Sequence, residues 1–405
     1  RYRRRGCNGR KVSAMEELAI NQPRTTAVDY QVVTATMDAI SSIAVAGAWG
    51  YIGRKFVDAS LALGLRVYVY DPGGAPLDLD LGAVRRVLDE EEFYRLDVDL
   101  FHLALHPQHR RVALTKLLDR ARVEPLLILG EKPMAAPEQP DDCAALVEAV
   151  RNTRAALLFD FPELYDPMTA RIVEHLDGFD EVVIDEIHIQ RSKDREDPDN
   201  PRNRKTMVHI QFQESVHCLA FILHLLGRVR GGVASALADG LAVSASAEPY
   251  VPPNPDDYPY VVDGRCEFEL KFGATAVHGH TDFKRHAPFR KKRIIRGAGD
   301  GRPFEIEVDY LEGAKYLLIN GVDQGCDRAG SSYEAVVTTL GKWRRERRWE
   351  ELMTAAYPSP AFAHLTYQLS GALWRSCWDG RRIELANQSQ LLAFDSGIAD
   401  RRLSV

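Results

Sequence analysis

The chain has no long apolar run, no closely spaced cysteines and no dominant charge, and each absence excludes something. No stretch of its 405 residues reaches the about 20 apolar residues a membrane-spanning helix needs. The basic segment 1–11 is not followed by the apolar core of a secretory signal. Six cysteines (Cys7, Cys143, Cys218, Cys266, Cys326 and Cys377) are scattered without a C-x-x-C pair, which argues against a zinc site and a disulfide framework. The expected compartment is therefore the reducing cytoplasm, with no metal. With 52 Lys and Arg against 58 Asp and Glu, the net charge of -6 gives no reason to expect nucleic acid or a membrane as partner. There is no internal repeat, and the one biased tract is the Pro-rich stretch 248–260.

What is present is an ordinary globular balance, 45% hydrophobic and 27% charged, with a length suited to two domains. Arg1, Arg3, Arg4, Arg5, Arg10 and Lys11 form a basic segment without an acid. It reads either as an arm seeking nucleic acid or membrane, or as a disordered leader translated from upstream of a start at Met15. The lack of apolar periodicity before about residue 32 favours the leader, assigned to 1–40.

From there strand and helix alternate. Residues 42–46 read as a buried strand, and 51–63 show helical spacing with Ile52, Phe56, Ala59 and Leu63 on one face. Strands follow at 66–70, 99–105 and 126–129, with helices at 111–120 and 141–151. This rhythm predicts a doubly wound parallel sheet, a Rossmann domain over 41–155. Beyond it come a strand at 182–190, a polar loop at 192–206 and a helix at 214–226. Long strand-like segments then run at 233–247, 261–272, 274–283, 292–297, 304–310 and 314–319, with helices at 331–354 and 361–377. The fold class is thus α/β plus α+β. A second domain, 156–405, carries an open, mostly antiparallel sheet for substrate and oligomerisation, and its final helices pack back on the first domain.

The first strand runs into Gly47, Ala48, Trp49, Gly50, Tyr51, Ile52 and Gly53, a GxxGxxG turn opening a helix. Such a turn lets a pyrophosphate approach free backbone N–H groups and the positive end of the helix dipole. Ala48 stands where the first glycine of the plain GxGxxG fingerprint would be. Asp71 ends the second strand 18 residues after Gly53, placed for the ribose hydroxyls of a dinucleotide and against a 2'-phosphate. The expected cofactor is therefore NAD, with NADP less favoured; the plain alternative for Asp71 is a turn former before Pro72.

Glu131-Lys132-Pro133 closes the strand at 126–129, at the edge where open α/β sheets bind ligands. Together with the glycine turn, this tripeptide resembles the glucose-fructose oxidoreductase / inositol dehydrogenase (Gfo/Idh/MocA) family. There an E-K-P follows the fifth strand and its lysine contacts the substrate hydroxyl. Segment 103–108, with His106 and Pro107, resembles the family's loop after the fourth strand. Gln213-Glu214-Ser215-Val216-His217 aligns with the family's D-x-G-x-H-x-x-D helix, with Gln213 in place of the first aspartate and Ala220 in place of the last.

The resemblance implies a Rossmann domain followed by an open sheet. It makes Lys132 and His217 the catalytic pair and places His106, Pro107 and Glu131 beside the cofactor. Gln213 and Glu214, with Glu163 and Tyr165 after a strand near the domain junction, become weaker substrate-binding candidates. A histidine titrates in the range useful for taking the hydroxyl proton, and a lysine stabilises the alkoxide. Taken alone, His217 would read as a structural histidine and Lys132 as a solvated loop residue.

The function implied is hydride transfer at a secondary alcohol or ketone of a sugar or cyclitol. A reductase of a biliverdin-like or imine substrate and a non-catalytic NAD-binding sensor or partner subunit are the alternatives. A homo-dimer or homo-tetramer is expected, because an open sheet leaves a broad face to cover. His278 and His280 share a strand face but have no evident acidic partner, and Arg290 to Arg293 read either as an anion site or as protection of an edge strand.

Overall fold

The computed structural model describes residues 40–76, 80–195, 197, 199, 208–250, 262–283, 289–325 and 330–399. The leader, Cys7, Cys326, the basic residues 284–286 and most of the two Pro-containing loops lie outside these.

The first sheet is built of β1 (Ser42–Ala46), β2 (Arg66–Tyr70), β3 (Arg85–Arg86), β4 (Leu100–Leu103), β5 (Leu126–Glu131) and β6 (Ala155–Asp160). Their order is β3-β2-β1-β4-β5-β6, all parallel. β1, β4, β5 and β6 are buried at every position, as parallel strands covered on both faces must be. β6 is where the sequence reading fell short. Ala155 pairs with Leu126 and Asp160 with Glu131, so the first sheet runs on beyond a boundary drawn at 155. A six-residue apolar run has no periodicity that tells strand from helix.

The second sheet holds β7 (Val182–Ser192), β8 (Leu241–Pro249), β9 (Asp263–Phe272), β10 (Thr275–Asp282), β11 (Lys291–Gly299), β12 (Arg302–Asp309), β13 (Tyr316–Ile319), β14 (Val322–Asp323) and β15 (Ile383–Leu385). Its order is β14-β13-β12-β11-β7-β10-β9-β8-β15, antiparallel throughout except for the parallel pair β7 and β10. Burial alternates along β9, so one face packs and the other is open. The expected strand 233–247 divides into a short helix, Val233–Ala236, and β8, separated at Gly240 with its φ of 88°. The expected helix 331–354 breaks at Arg347, where extended backbone separates Ser332–Glu346 from Trp349–Leu352. β11 lies between β12 and β7, which removes the edge-protecting reading of Arg290 to Arg293. Arg293 is wholly buried.

Helix Val216–Val229 buries residues all round, from Val216 through Leu223 without a break, and is a central core helix rather than a striped one. The late helices lie on the first sheet. Tyr333 meets Phe56 at 5.2 Å, Arg344 Nη1 donates to Asp99 Oδ1 at 2.7 Å, and the Tyr367 hydroxyl donates to the carbonyls of Ala136 and Pro137 at 2.9 and 3.0 Å. Both sheets therefore belong to one compact unit. The Sγ atoms of Cys266 and Cys377 stand 3.9 Å apart, unbonded. Among the described residues, no helix is long and apolar enough to cross a membrane.

Candidate functional site

The C-terminal ends of β1, β2, β4, β5 and β6 form one edge, and the residues singled out from the sequence collect along it. Gly47 has a φ of 73°, and a Cβ there would lie 2.6 Å from the Ala104 carbonyl oxygen. A Cβ on Gly53 would lie 2.1 Å from the Gly47 oxygen, so the helix seats on the turn only with glycine at that position. Gly50, at a φ of -63°, is the N-cap of helix Tyr51–Ala62. That helix start has no side-chain cap and no acid in its first turn, so its dipole favours an anion there. Asp71 braces the turn: Oδ2 accepts from Trp49 N at 3.0 Å and Oδ1 from Gly73 N at 2.8 Å. The buried Trp49 indole Nε1 has no hydrogen-bond partner. Ala48 is fully buried, and Tyr51 and Ile52 open the helix. These features fit a dinucleotide at the turn: an anion-seeking helix end, a carboxylate beside it and an orphan donor. His106 caps helix Pro107–Arg120 at the neighbouring end of β4.

Below the E-K-P tripeptide lies a buried support. Glu131, expected beside the cofactor, turns inward and its Oε1 meets His102 Nε2 at 3.0 Å. Its partner across the sheet, Asp160, is pushed well above the ordinary carboxylate value by burial and by the Glu131 charge. Arg110, also buried, donates from Nη2 to the Pro133 carbonyl at 2.6 Å, and burial lowers its pKa to about 10.

Lys132 reaches across to the second sheet's helix and donates from Nζ to the Gln213 carbonyl at 2.5 Å. Gln213 to Ser215 belong to a π-helical segment, Gln211–Ser215, that runs into helix Val216–Val229, a distortion common at functional sites. His217 sits one turn on, and its Nδ1 faces Glu163 Oε2 at 3.4 Å. Burial, then the Arg191 and Lys132 charges, hold His217 well below its ordinary pKa, which favours the neutral imidazole. Burial likewise lowers Lys132.

Arg191 ties the cluster together. It hydrogen-bonds Glu163 through Nη1 and donates from Nε to Glu214 Oε2 at 2.7 Å, while Lys193 Nζ donates to Glu214 Oε1 at 2.8 Å. Arg293 Nη2 lies 3.8 Å from Glu163 Oε1, its guanidinium against the rings of Phe221 and Tyr310 at 5.5 and 5.1 Å. Despite burial, which opposes ionisation, both carboxylates are held well below the usual range: Glu163 chiefly by Arg191, Glu214 by Lys193 and Arg191.

Lys132, Glu163, Glu214 and His217 are thus brought together, with Gln213 contributing its carbonyl. Tyr165 is not: its hydroxyl donates to Phe159 O at 2.9 Å and its ring packs on Trp343, so it is a core residue. Arg191 and Lys193 are site residues that the motifs do not name, while Arg293 belongs to the basic stretch already read as a candidate anion site. The alternation of Arg191 and Lys193 at the end of a strand was the available signal, hidden because 192 was read as the start of a loop.

His278 and His280 lie on the open face of the second sheet, opposite Arg293, in a shallow hollow of about 630 Å³. Acidic partners do arrive, from neighbouring strands: Glu186 and Glu269 each stand 3.7 Å from His278, and Glu267 stands 3.6 Å from His280. Even so, no group of three or more His, Cys, Asp or Glu among the described residues is arranged to hold a metal ion.

No protein-family model matches the chain, and no curated protein is similar to it in sequence. Solved structures are. A myo-inositol dehydrogenase from Corynebacterium glutamicum is 13% identical with a TM-score of 0.59, over 85% of this chain and 99% of that one. An oxidoreductase from Agrobacterium radiobacter, solved with NAD+, L-tartaric acid and magnesium, is 14% identical with a TM-score of 0.61, over 86% and 98%. The transcriptional regulator Gal80p from Kluyveromyces lactis is 11% identical with a TM-score of 0.59, over 88% and 96%. The chain therefore has the two-sheet fold of the Gfo/Idh/MocA oxidoreductases, the fold expected from its sequence.

Proposed function

We propose that the chain is an NAD-dependent oxidoreductase acting on a secondary alcohol or ketone of a sugar or cyclitol. The observation that carries this reading is the meeting of Lys132 and His217. Lys132 follows β5 of the first sheet and His217 lies on helix Val216–Val229, yet the Lys132 ammonium is bonded to the π-helical segment that leads into His217. The dehydrogenases of the same fold support the assignment, as does the NAD+ held by the Agrobacterium radiobacter protein.

In this reading the N-terminal end of helix Tyr51–Ala62 would hold the pyrophosphate and Asp71 would face the adenosine ribose. The nicotinamide, when bound, accepts or returns the hydride. Lys132 donates a hydrogen bond to the substrate oxygen and stabilises it as charge develops. His217, its neutral form favoured by burial, takes the hydroxyl proton, and Glu163, anchored by Arg191, then stabilises the imidazolium. A positioned base of this kind contributes about 10²- to 10⁴-fold. Glu131, Asp160 and Arg110 keep Lys132 in place from below.

The test is a panel of sugars and cyclitols with NAD, followed at the nicotinamide absorbance. Turnover in the wild type that falls at least about 100-fold in Lys132→Ala supports the role. Undiminished turnover removes it. A second reading, a non-catalytic NAD-binding regulator or partner subunit, draws on the replacement of the motif's aspartate by Gln213, whose side-chain Oε1 accepts from Val208 N at 3.3 Å. The shared fold of the transcriptional regulator Gal80p gives it precedent. NAD binding without turnover of any substrate, including imines and biliverdin-like compounds, would favour it. For either reading we propose a homo-oligomer, with neither nucleic acid nor membrane as partner.

A further inference from the structure

The candidate site carries more positive charge than its own carboxylates balance. Lys132, Arg191, Lys193 and Arg293 stand around Glu163 and Glu214, four cations about two anions. A structural ion network accounts for half of this. Arg191, only 5% exposed, is used up by both carboxylates, and Arg293, 0% exposed, is clamped between two rings.

The lysines are different. The Lys193 side chain keeps 29% of its surface, while the Glu214 it touches keeps 1% and is already held by Arg191. Lys132 spends one hydrogen bond, and on a neutral carbonyl rather than on a carboxylate. The two ammoniums bond to consecutive residues, Gln213 and Glu214, and burial, followed by the charges of Arg195, Arg191 and Lys132, lowers the proton affinity of Lys193. Two cations set side by side, with one anion between them that a third cation also claims, make a receptor for a further anion.

We propose that the substrate of this site is an anionic hydroxy compound, a hydroxy acid or a sugar phosphate. Lys193 receives its carboxylate or phosphate while its reacting hydroxyl lies at Lys132. The inference rests on the oxidoreductase reading and narrows its substrate class. It makes Lys193 a specificity-determining residue, reached from the end of β7 and independent of the glycine turn that would hold the cofactor.

The experiment is calorimetric titration of the full-length protein, first with NADH and then, as the NADH-loaded protein, with two sets of ligands. The anions are D-gluconate, D-glucuronate, malate and D-glucose 6-phosphate, and the neutral set is D-glucose and myo-inositol. At least one anion is expected to bind at least about 10-fold more tightly than either neutral ligand, as a charge-assisted hydrogen bond allows. The acids and the sugar phosphate separate the two sources of the anion. Lys193→Gln is expected to weaken that anion about 30-fold and Lys193→Arg to restore it to within about 3-fold, with NADH affinity unchanged in both. Neutral ligands that bind as well as every anion, or NADH binding with no anion bound at all, overturn the proposal and leave the cofactor reading intact. An anion whose affinity does not move in a folded Lys193→Gln protein also overturns it. Failure to bind NADH overturns the oxidoreductase reading itself.

Discussion

Substituting the glycines of the turn separates its two duties, holding the fold and admitting the cofactor. Gly47→Ala puts a side chain at a φ of 73°, with its Cβ 2.6 Å from a backbone carbonyl oxygen that cannot move aside alone. The left-handed conformation costs about 1–2 kcal/mol and the forced packing a further 1–3, so unfolding free energy should fall by about 2–5 kcal/mol. Gly50→Ala differs in kind. Its φ of -63° suits any residue, and the nearest atom to the new Cβ, the Gly47 oxygen, is 3.2 Å away. Its stability cost should stay below about 1 kcal/mol. A methyl group at the head of helix Tyr51–Ala62 nonetheless stands where the pyrophosphate must approach, and NADH affinity should fall at least about 10-fold. Urea unfolding gives the first quantity and NADH fluorescence titration the second. A Gly50→Ala protein of near wild-type stability that binds NADH as tightly as the parent would refute the assignment of this helix end to the cofactor.

Other outcomes follow from the same geometry. NAD should bind at least about 10-fold more tightly than NADP, because the Asp71 carboxylate at the turn repels a 2'-phosphate; paired titrations decide it, and equal affinities would remove the role of Asp71. His217 holds its proton more weakly folded than unfolded, so it lowers stability as pH falls below about 6.5, the ordinary histidine value, toward its depressed folded pKa. His217→Asn should flatten that acid limb by up to about 1.4 kcal/mol per pH unit in urea titrations between about pH 5 and 6.5; an unchanged slope would mean that the imidazole is charged when folded. Lys315 and Asp166, each 4% exposed and 3.0 Å apart, join β13 to helix Pro167–Asp177. Lys315→Met strands the buried carboxylate and should cost about 3–5 kcal/mol by denaturant unfolding; a loss under about 1 kcal/mol would show that solvent reaches the pair.

Local features were the legible part. The glycine turn, Asp71 and the E-K-P tripeptide each lie within a single strand-to-loop junction, where residue type and spacing carry the chemistry. The strand before Glu163 was legible but not its sheet, so the boundary at 155 cut β6 from the first domain: Ala155–Phe159 is a short apolar run without a period. The charge network was lost for another reason. Arg191, Glu214 and Arg293 come from β7, the π-helical segment and β11, and Arg191 joins Glu214 to Glu163, beside Arg293, through strand pairing that the local sequence does not specify. The same distance in sequence hid the acidic partners of His278 and His280. Tyr165 shows the converse. A residue placed correctly along the chain still turned into the core, because its hydroxyl found the Phe159 carbonyl.

Titrating the purified protein with NADH, with nicotinamide fluorescence as the signal, decides whether this fold holds a nicotinamide dinucleotide. Saturable binding at one site per chain is expected, retained in Lys132→Ala and weakened in Gly50→Ala. Absence of saturable binding by the folded wild-type protein would contradict the cofactor reading.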